Sequence, residues 1–215
     1  MIVQDMMNKK PVTARPETTI VEALLTLKKH RIRHLPIIVE DGSLAGIISD
    51  RDLRDASPSI FDAADHADKL ERPISEIMVK DVITAHPLDF AEDLLSVFYE
   101  HQIGCVPVLE HEKLVGVITE RDMLYTLIQL TGAHQPSSHL EVKVENIAGQ
   151  LADVASLIKK FKININSVLV YPGKQDDSQK ILVLRIGTMN PYRIASELRQ
   201  NGYDVIWPQE PEVGQ

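Results

Sequence analysis

An internal duplication constrains this chain more than any other feature. Gly46-Ile47-Ile48-Ser49-Asp50-Arg51-Asp52-Leu53 and Gly116-Val117-Ile118-Thr119-Glu120-Arg121-Asp122-Met123 carry a glycine, an apolar run, a hydroxyl, an arginine and a carboxylate in one order. The echo extends upstream. Met7, Thr13, Pro16 and Pro36 match Met78, Thr84, Pro87 and Pro107 at an offset of 71, which becomes 70 from Gly46/Gly116 onward. The missing residue falls in a polar turn, where Glu40-Asp41-Gly42 faces His111-Glu112-Lys113. A duplication of this length is the best evidence about the architecture, which holds two copies of one small unit.

Each copy reads alike. An extended segment closes on a proline (Val12–Pro16, then Val82–Pro87), and an amphipathic helix follows. Ile20, Ala23, Leu24 and Leu27 share one face in the first copy, as Ala91, Leu94, Leu95 and Phe98 do in the second. Thr18 or Thr19 is expected to cap the first helix and Asp89 the second. Two strands joined by a polar turn come next, over 35–39 with 44–49 and over 105–109 with 114–119, predicting hairpins. A second helix starts at Asp50 and at Glu120. The polar stretch 56–72 connects the copies, and Thr131–Ser138 is a turn-rich linker. Beyond it the order changes to strand (139–144), helix (149–161), two strands (163–171 and 180–187) about a polar turn, helix (191–201) and a last strand (203–207). That βαββαβ order describes a ferredoxin-like sandwich.

Charge narrows the function. Residues 1–138 hold 14 Lys and Arg against 22 Asp and Glu, and residues 139–208 hold 9 against 7. An acidic amino-terminal region argues against nucleic acid, whose phosphates normally recruit a basic surface. No apolar run approaches the ~20 residues that span a bilayer, so a soluble, cytoplasmic protein with no membrane contact is expected. The single Cys105 lies in an apolar strand-like run and reads as buried and inert. The histidines are scattered, and His30 and His34, an i,i+4 pair, straddle a helix end. Neither a nucleophile elbow nor a phosphate-binding glycine loop occurs, so no catalytic residue and no metal or catalytic cofactor is expected.

The repeated turn admits two readings. Ser49-x-x-Asp52 and Thr119-x-x-Asp122 resemble capping boxes, in which hydroxyl and carboxylate serve the helix start reciprocally. A capping role gives no reason for Arg51 and Arg121, whose planar guanidinium suits phosphate, and an acidic residue at such a turn can hold ribose hydroxyls. Hydroxyl, arginine and carboxylate together make a sugar-phosphate site. Proline at 36 and 107 keeps Leu35 and Val106 extended, so their backbone either reads the edge of a base or lies in a plain edge strand. Arg33 either faces solvent or supplies phosphate charge that the second copy, with Gly104, lacks. Gly46 and Gly116 stand where a side chain would block another backbone or a ligand.

With these motifs the repeats resemble cystathionine-β-synthase (CBS) domains, whose βαββα unit ends in Gly-h-x-[Ser/Thr]-x-x-Asp (h apolar), and both copies match in full. The resemblance implies a Bateman module of two packed units with two clefts that take adenine nucleotides: AMP, ADP or ATP, with S-adenosylmethionine as a further ligand. It assigns Asp52 and Asp122 to ribose, and Ser49, Thr119, Arg51 and Arg121 to phosphate or ribose. Thr13, Ala14, Thr84 and Ala85 line the clefts, with Arg33, Leu35 and Val106 beside them. The carboxy-terminal part is similar to ACT domains, regulatory units that often bind amino acids. Asn146-Ile147-Ala148-Gly149-Gln150-Leu151 corresponds to their first strand-helix turn, a ligand or interface loop. The implied class is α+β/α/β, with CBS units at 1–56 and 74–130, a connector at 57–73, a linker at 131–138, an ACT-like domain at 139–208 and a tail at 209–215. The order CBS, CBS, ACT is like that of an acetoin-utilisation family linked to acetoin or butanediol catabolism. A non-catalytic adenine-nucleotide sensor forming a homodimer or higher homo-oligomer is therefore expected, with an unknown partner enzyme. The alternative is a ligand-independent interaction scaffold for that enzyme.

Overall fold

The computed structural model describes residues 1–57, 70–173 and 178–209, divided between two compact units, Met1–Leu124 and Tyr125–Gln215. Most of the polar connector, the middle of the turn near 172–179 and nearly all of the tail lie outside the described residues.

In the first unit, α1 (Ile20–His30) begins where Thr19 and Glu22 form a reciprocal capping box. Glu22 N donates to Thr19 Oγ1 (3.3 Å) and Thr19 N to Glu22 Oε2 (2.9 Å). The helix buries Ile20, Ala23 and Leu27 and ends at Arg31 in the left-handed region. It leads to a hairpin of β1 (His34–Ile38) and β2 (Leu44–Ser49), then α2 (Asp50–Ala56). The second copy repeats this with α3 (Ala91–His101), β3 (Cys105–Glu110), β4 (Lys113–Thr119) and α4 (Glu120–Leu130). Asp89 does not cap α3. Its Oδ2 accepts from His86 N (2.7 Å) while its own N–H donates to His86 O (3.0 Å), so it closes a turn and the helix starts after Phe90. The extended segment before each first helix shrinks to one parallel bridge, Ala14 against Ile37 and Ala85 against Val108.

The two copies exchange their leading segments. Residues Val3–Asp5, a 3₁₀ turn, dock on the second copy, with Val3 N donating to Asp89 O (2.9 Å) and Asn8 N to Val117 O (2.8 Å). The turn Ile74–Glu76 docks on the first, where Ile74 N donates to Thr18 O (2.8 Å) and Ile47 and Val79 exchange two bonds of 2.9 Å. Each core therefore contains a foreign residue. Fully buried Val3 packs with Ala91, Leu94, Phe98, Val106, Ile118 and Met123. Ile74 packs with Ile20, Leu27, Leu35, Ile37, Ile48 and Leu53. Burying such a side chain stabilises by about 1.5–3 kcal/mol, so neither copy is complete alone. The exchange also explains the paired glycines. A β-carbon on Gly46 would lie 2.7 Å from Val79 O and 2.9 Å from Met78 Sδ, and one on Gly116 would lie 2.6 Å from Met7 Sδ.

The second unit follows α4 with β5 (Ser138–Glu145), α5 (Gln150–Lys159), β6 (Ile165–Pro172), β7 (Gln179–Ile186), α6 (Tyr192–Gln200) and β8 (Asp204–Trp207). The four strands form one antiparallel sheet in the order β6-β7-β5-β8, as the ferredoxin-like pattern requires. Alternation puts Leu140, Val142, Val144, Leu182, Leu184 and Ile186 on the face that meets Val154 and Ile158 of α5 and Ile194 and Leu198 of α6. Pro191 precedes α6 and Gly202, at positive φ, follows it. Edge strand β6 carries no charged side chain and leaves Val168, Leu169, Val170 and Tyr171 exposed.

Candidate functional site

The duplicated turn is a capping box in both copies. Ser49 N (2.8 Å) and Ser49 Oγ (2.7 Å) donate to Asp52 Oδ2, and Asp52 N returns a bond to Ser49 Oγ (3.2 Å). Thr119 N (2.9 Å) and Oγ1 (2.6 Å) do the same to Asp122 Oδ2, and Asp122 N donates to Thr119 Oγ1 (3.3 Å). Serving the helix does not consume the whole group. Among the described residues, every bond made by the Asp52 carboxylate falls on Oδ2, which leaves Oδ1 for a further donor. The box fixes the rotamer and so aims that oxygen.

The strand pairings gather the other predicted residues of each copy on one ribbon. Ala14 N donates to Pro36 O (3.0 Å) and Ile38 N to Ala14 O (3.0 Å), bringing Thr13 and Ala14 beside Leu35, while His34 stands opposite Ser49. In the second copy, Ala85 N donates to Pro107 O (3.0 Å) and Leu109 N to Ala85 O (2.9 Å), which sets Thr84 and Ala85 beside Val106, and Cys105 stands opposite Thr119. Leu35 and Val106 are fully buried, each in its own core. Only their backbone can address a ligand. Arg33, Arg51 and Arg121 are exposed and make no hydrogen bond or ion pair with another described residue, so their guanidinium groups remain available. Asp50 pairs with Arg54 (2.8 Å), whereas in the second copy Leu124 replaces that arginine and Glu120 makes no such pair.

Two further groups sit at this end. Cys105 is buried, and burial, aided by the Asp122 carboxylate, pushes its thiol up to about 12, so it stays protonated and inert as expected. His34, which the motif left out, reaches across to the other copy. A β-carbon on Gly104 would lie 2.8 Å from its Cε1. Only the absence of a side chain at 104, visible in the sequence but not interpretable there, signals this contact.

In the second unit, Gly149 adopts positive φ (98°) just before α5, and Asn146 N donates to Ser178 O (2.7 Å). Ile147 and Leu151 are exposed. A polar cleft of about 360 Å³ opens beside this loop between Lys143, Glu145, Gln150, Gln179, Tyr203 and Asp204; of the six loop residues Gln150 alone lines it. Among the described residues, no group of three or more His, Cys, Asp or Glu is arranged to hold a metal, and no helix is long and apolar enough to cross a membrane.

A pair of βαββα units with exchanged leaders and boxed Ser/Thr–Asp turns defines a tandem CBS module. The CBS domain family matches residues 3–59 and 74–129, over half of the chain, and the chain belongs to that family. It is 32% identical over 143 residues to a CBS domain-containing protein of Dictyostelium discoideum, covering 64% of this chain and 99% of the relative. Among solved structures, it resembles a putative acetoin utilization protein (AcuB) from Vibrio cholerae at 31% identity and a TM-score of 0.55, covering 64% of this chain and 98% of the other. It also resembles the CBS domain pair of protein MJ0100, solved with 5′-methylthioadenosine and S-adenosyl-L-methionine, at 32% identity and a TM-score of 0.52, covering 63% of this chain and 98% of the other. The fold is that of non-catalytic CBS regulatory modules. The carboxy-terminal four-stranded sheet is consistent with an ACT-like fold.

Proposed function

We propose that the first unit is a sensor of adenine nucleotides, which bind at the two boxed turns and alter how the repeats pack. The observation that carries this reading is the Asp52 carboxylate, locked by Ser49 through one oxygen while the other has no partner among the described residues, with Arg51, its neighbour in the chain, likewise unpaired among them. Ribose hydroxyls are the natural donors for that oxygen, and phosphate is the natural partner of Arg51 and Arg121. The adenosine compounds bound to the MJ0100 pair support the same ligand class. Thr13, Ala14, Thr84 and Ala85 line the two sites, with Arg33 adding charge at the first and the backbone of Leu35 and Val106 facing the base. AMP, ADP or ATP is the ligand, with S-adenosylmethionine as the nearest rival. A regulator acts only through differential affinity for two states, so occupancy must favour one packing of the repeats.

The second unit acts as an ACT-like regulatory domain that joins copies into a homodimer or larger assembly through the uncharged, apolar edge of β6, with Asn146–Leu151 as an interface or amino-acid loop. The likeness to AcuB supports a role in acetoin or butanediol catabolism, exerted on a partner enzyme.

Titration calorimetry with AMP, ADP, ATP and S-adenosylmethionine tests the sensor. The double variant Asp52→Asn/Asp122→Asn keeps an acceptor for each cap and is expected to bind at least about tenfold more weakly, the loss of one charged hydrogen bond. Absence of binding to the wild type, or undiminished binding to the variant, rejects it. One observation favours a ligand-independent scaffold instead: each carboxylate already serves its own helix. Capture of the partner enzyme unaffected by any nucleotide would establish that reading.

A further inference from the structure

The two repeats meet at a histidine. His34 opens β1 opposite Ser49, and its ring presses on the second repeat, where a β-carbon on Gly104 would lie 2.8 Å from Cε1 and 3.2 Å from Nε2. Glu120 Oε2 is 3.5 Å from the same point. The backbone ties both turns to this joint. Asp50 N donates to Arg33 O (2.9 Å) and Glu120 N to Gly104 O (3.3 Å), so the residues leading to Asp52 and Asp122 depart from either side of the ring.

The half-buried imidazole makes no hydrogen bond or ion pair with another described residue. The charged groups facing it are Asp50 and Asp52 on α2, Glu120 on α4, and Arg33 beside it in the chain. Three carboxylates against one guanidinium leave the joint negative. Burial nevertheless holds His34 below its ordinary value against the pull of Asp50; Arg33 adds to the lowering, and Asp52 and Glu120 oppose it. The ring is therefore neutral near pH 7. A phosphate arriving on a ligand seated at Ser49 and Asp52 brings more negative charge, which favours a protonated imidazole. Histidine is the side chain whose ordinary range lets a nearby charge move it across neutrality.

Resting on the nucleotide reading above, we propose that His34 couples binding of a phosphorylated nucleotide at the first repeat to uptake of one proton from solvent, so that affinity rises as pH falls. The second repeat, with Gly104-Cys105 in place of Arg33-His34, supplies no such group of its own. The module then reports nucleotide and acidity together.

The test is calorimetry of AMP binding to the full chain at about pH 7.5 and about pH 6, in buffers of different ionisation enthalpy. The gain in AMP affinity on acidification is expected to be about three- to tenfold larger in wild type than in His34→Gln, with more proton uptake on binding in wild type than in the variant. Titration of the AMP phosphate is common to both proteins and cancels. Adenosine, without phosphate, should show equal ratios for the two. Should the variant fail to fold, the His34 ring resonances of wild type provide the same answer: AMP must shift them toward the protonated form. AMP binding with no more proton uptake than in His34→Gln, or with ring resonances unmoved, overturns the coupling and leaves the nucleotide reading intact. Absence of AMP binding at either pH overturns both.

Discussion

Replacing Gly46 with alanine asks whether the leader of the second repeat truly lies across β2. The new methyl would meet Val79 O at 2.7 Å and Met78 Sδ at 2.9 Å. The thioether can swing aside, but the carbonyl cannot, because Ile47 N and Val79 N each bond across that contact at 2.9 Å. Either the leader lifts and weakens two bonds worth about 0.5–1.5 kcal/mol each, or the site stays overpacked at about 1–3 kcal/mol. Stiffening the unfolded chain returns about 0.4–1 kcal/mol. A net loss of about 1–2 kcal/mol follows, which lowers Tm by roughly 2–8 °C for a unit of this size. Urea unfolding followed by circular dichroism reads it directly. Gly116→Ala is the internal control. Its nearest obstacles are Met7 Sδ at 2.6 Å and Cγ at 3.0 Å, both movable, with Asn8 O at 3.1 Å, so it should cost less. A Gly46→Ala protein as stable as wild type, or a Gly116→Ala protein that is worse, refutes the reasoning.

Ser49→Ala removes the acceptor for Asp52 N and should cost about 1 kcal/mol in the same urea assay; an unchanged midpoint would mean that the box does not hold the turn. Cys105, with its thiol pushed up to about 12 by burial, should react with a thiol reagent near neutral pH at least about a hundredfold more slowly in the native protein than in urea. Rapid labelling of the native protein would contradict that burial.

Local features were legible from residues alone because their physics is local. Ser49 with Asp52 and Thr119 with Asp122 are visible as hydroxyl-x-x-carboxylate patterns, and each forms its box; of the two caps expected for α1, Thr18 or Thr19, it is Thr19 that serves. The apolar spacing of Ile20, Ala23 and Leu27 likewise predicts the buried stripe of α1. Asp89 departs from the cap pattern because the His86 amide takes its carboxylate into a turn before the helix begins. The exchange of leaders was not legible. The sequence says that Val3 and Ile74 are apolar; with two copies of like pattern it cannot say which copy receives them. The His34–Gly104 contact depends on that same assembly. At the candidate site, the sequence supplies the groups, whereas the pairing of Ser49 with His34 and the free Oδ1 of Asp52 come only from the fold.

The crossed leaders also determine the order in which the chain can be finished. Val3 has no seat until Ile118 and Met123 have been synthesised, and Ile20 lacks part of its cover until Ile74 emerges. A nascent chain thus carries Val3 and its neighbours unpaired through almost the whole length of the unit. Such long-range closure makes for slow folding. Severing the gene between the repeats would yield two fragments, each lacking a piece that only the other can lend.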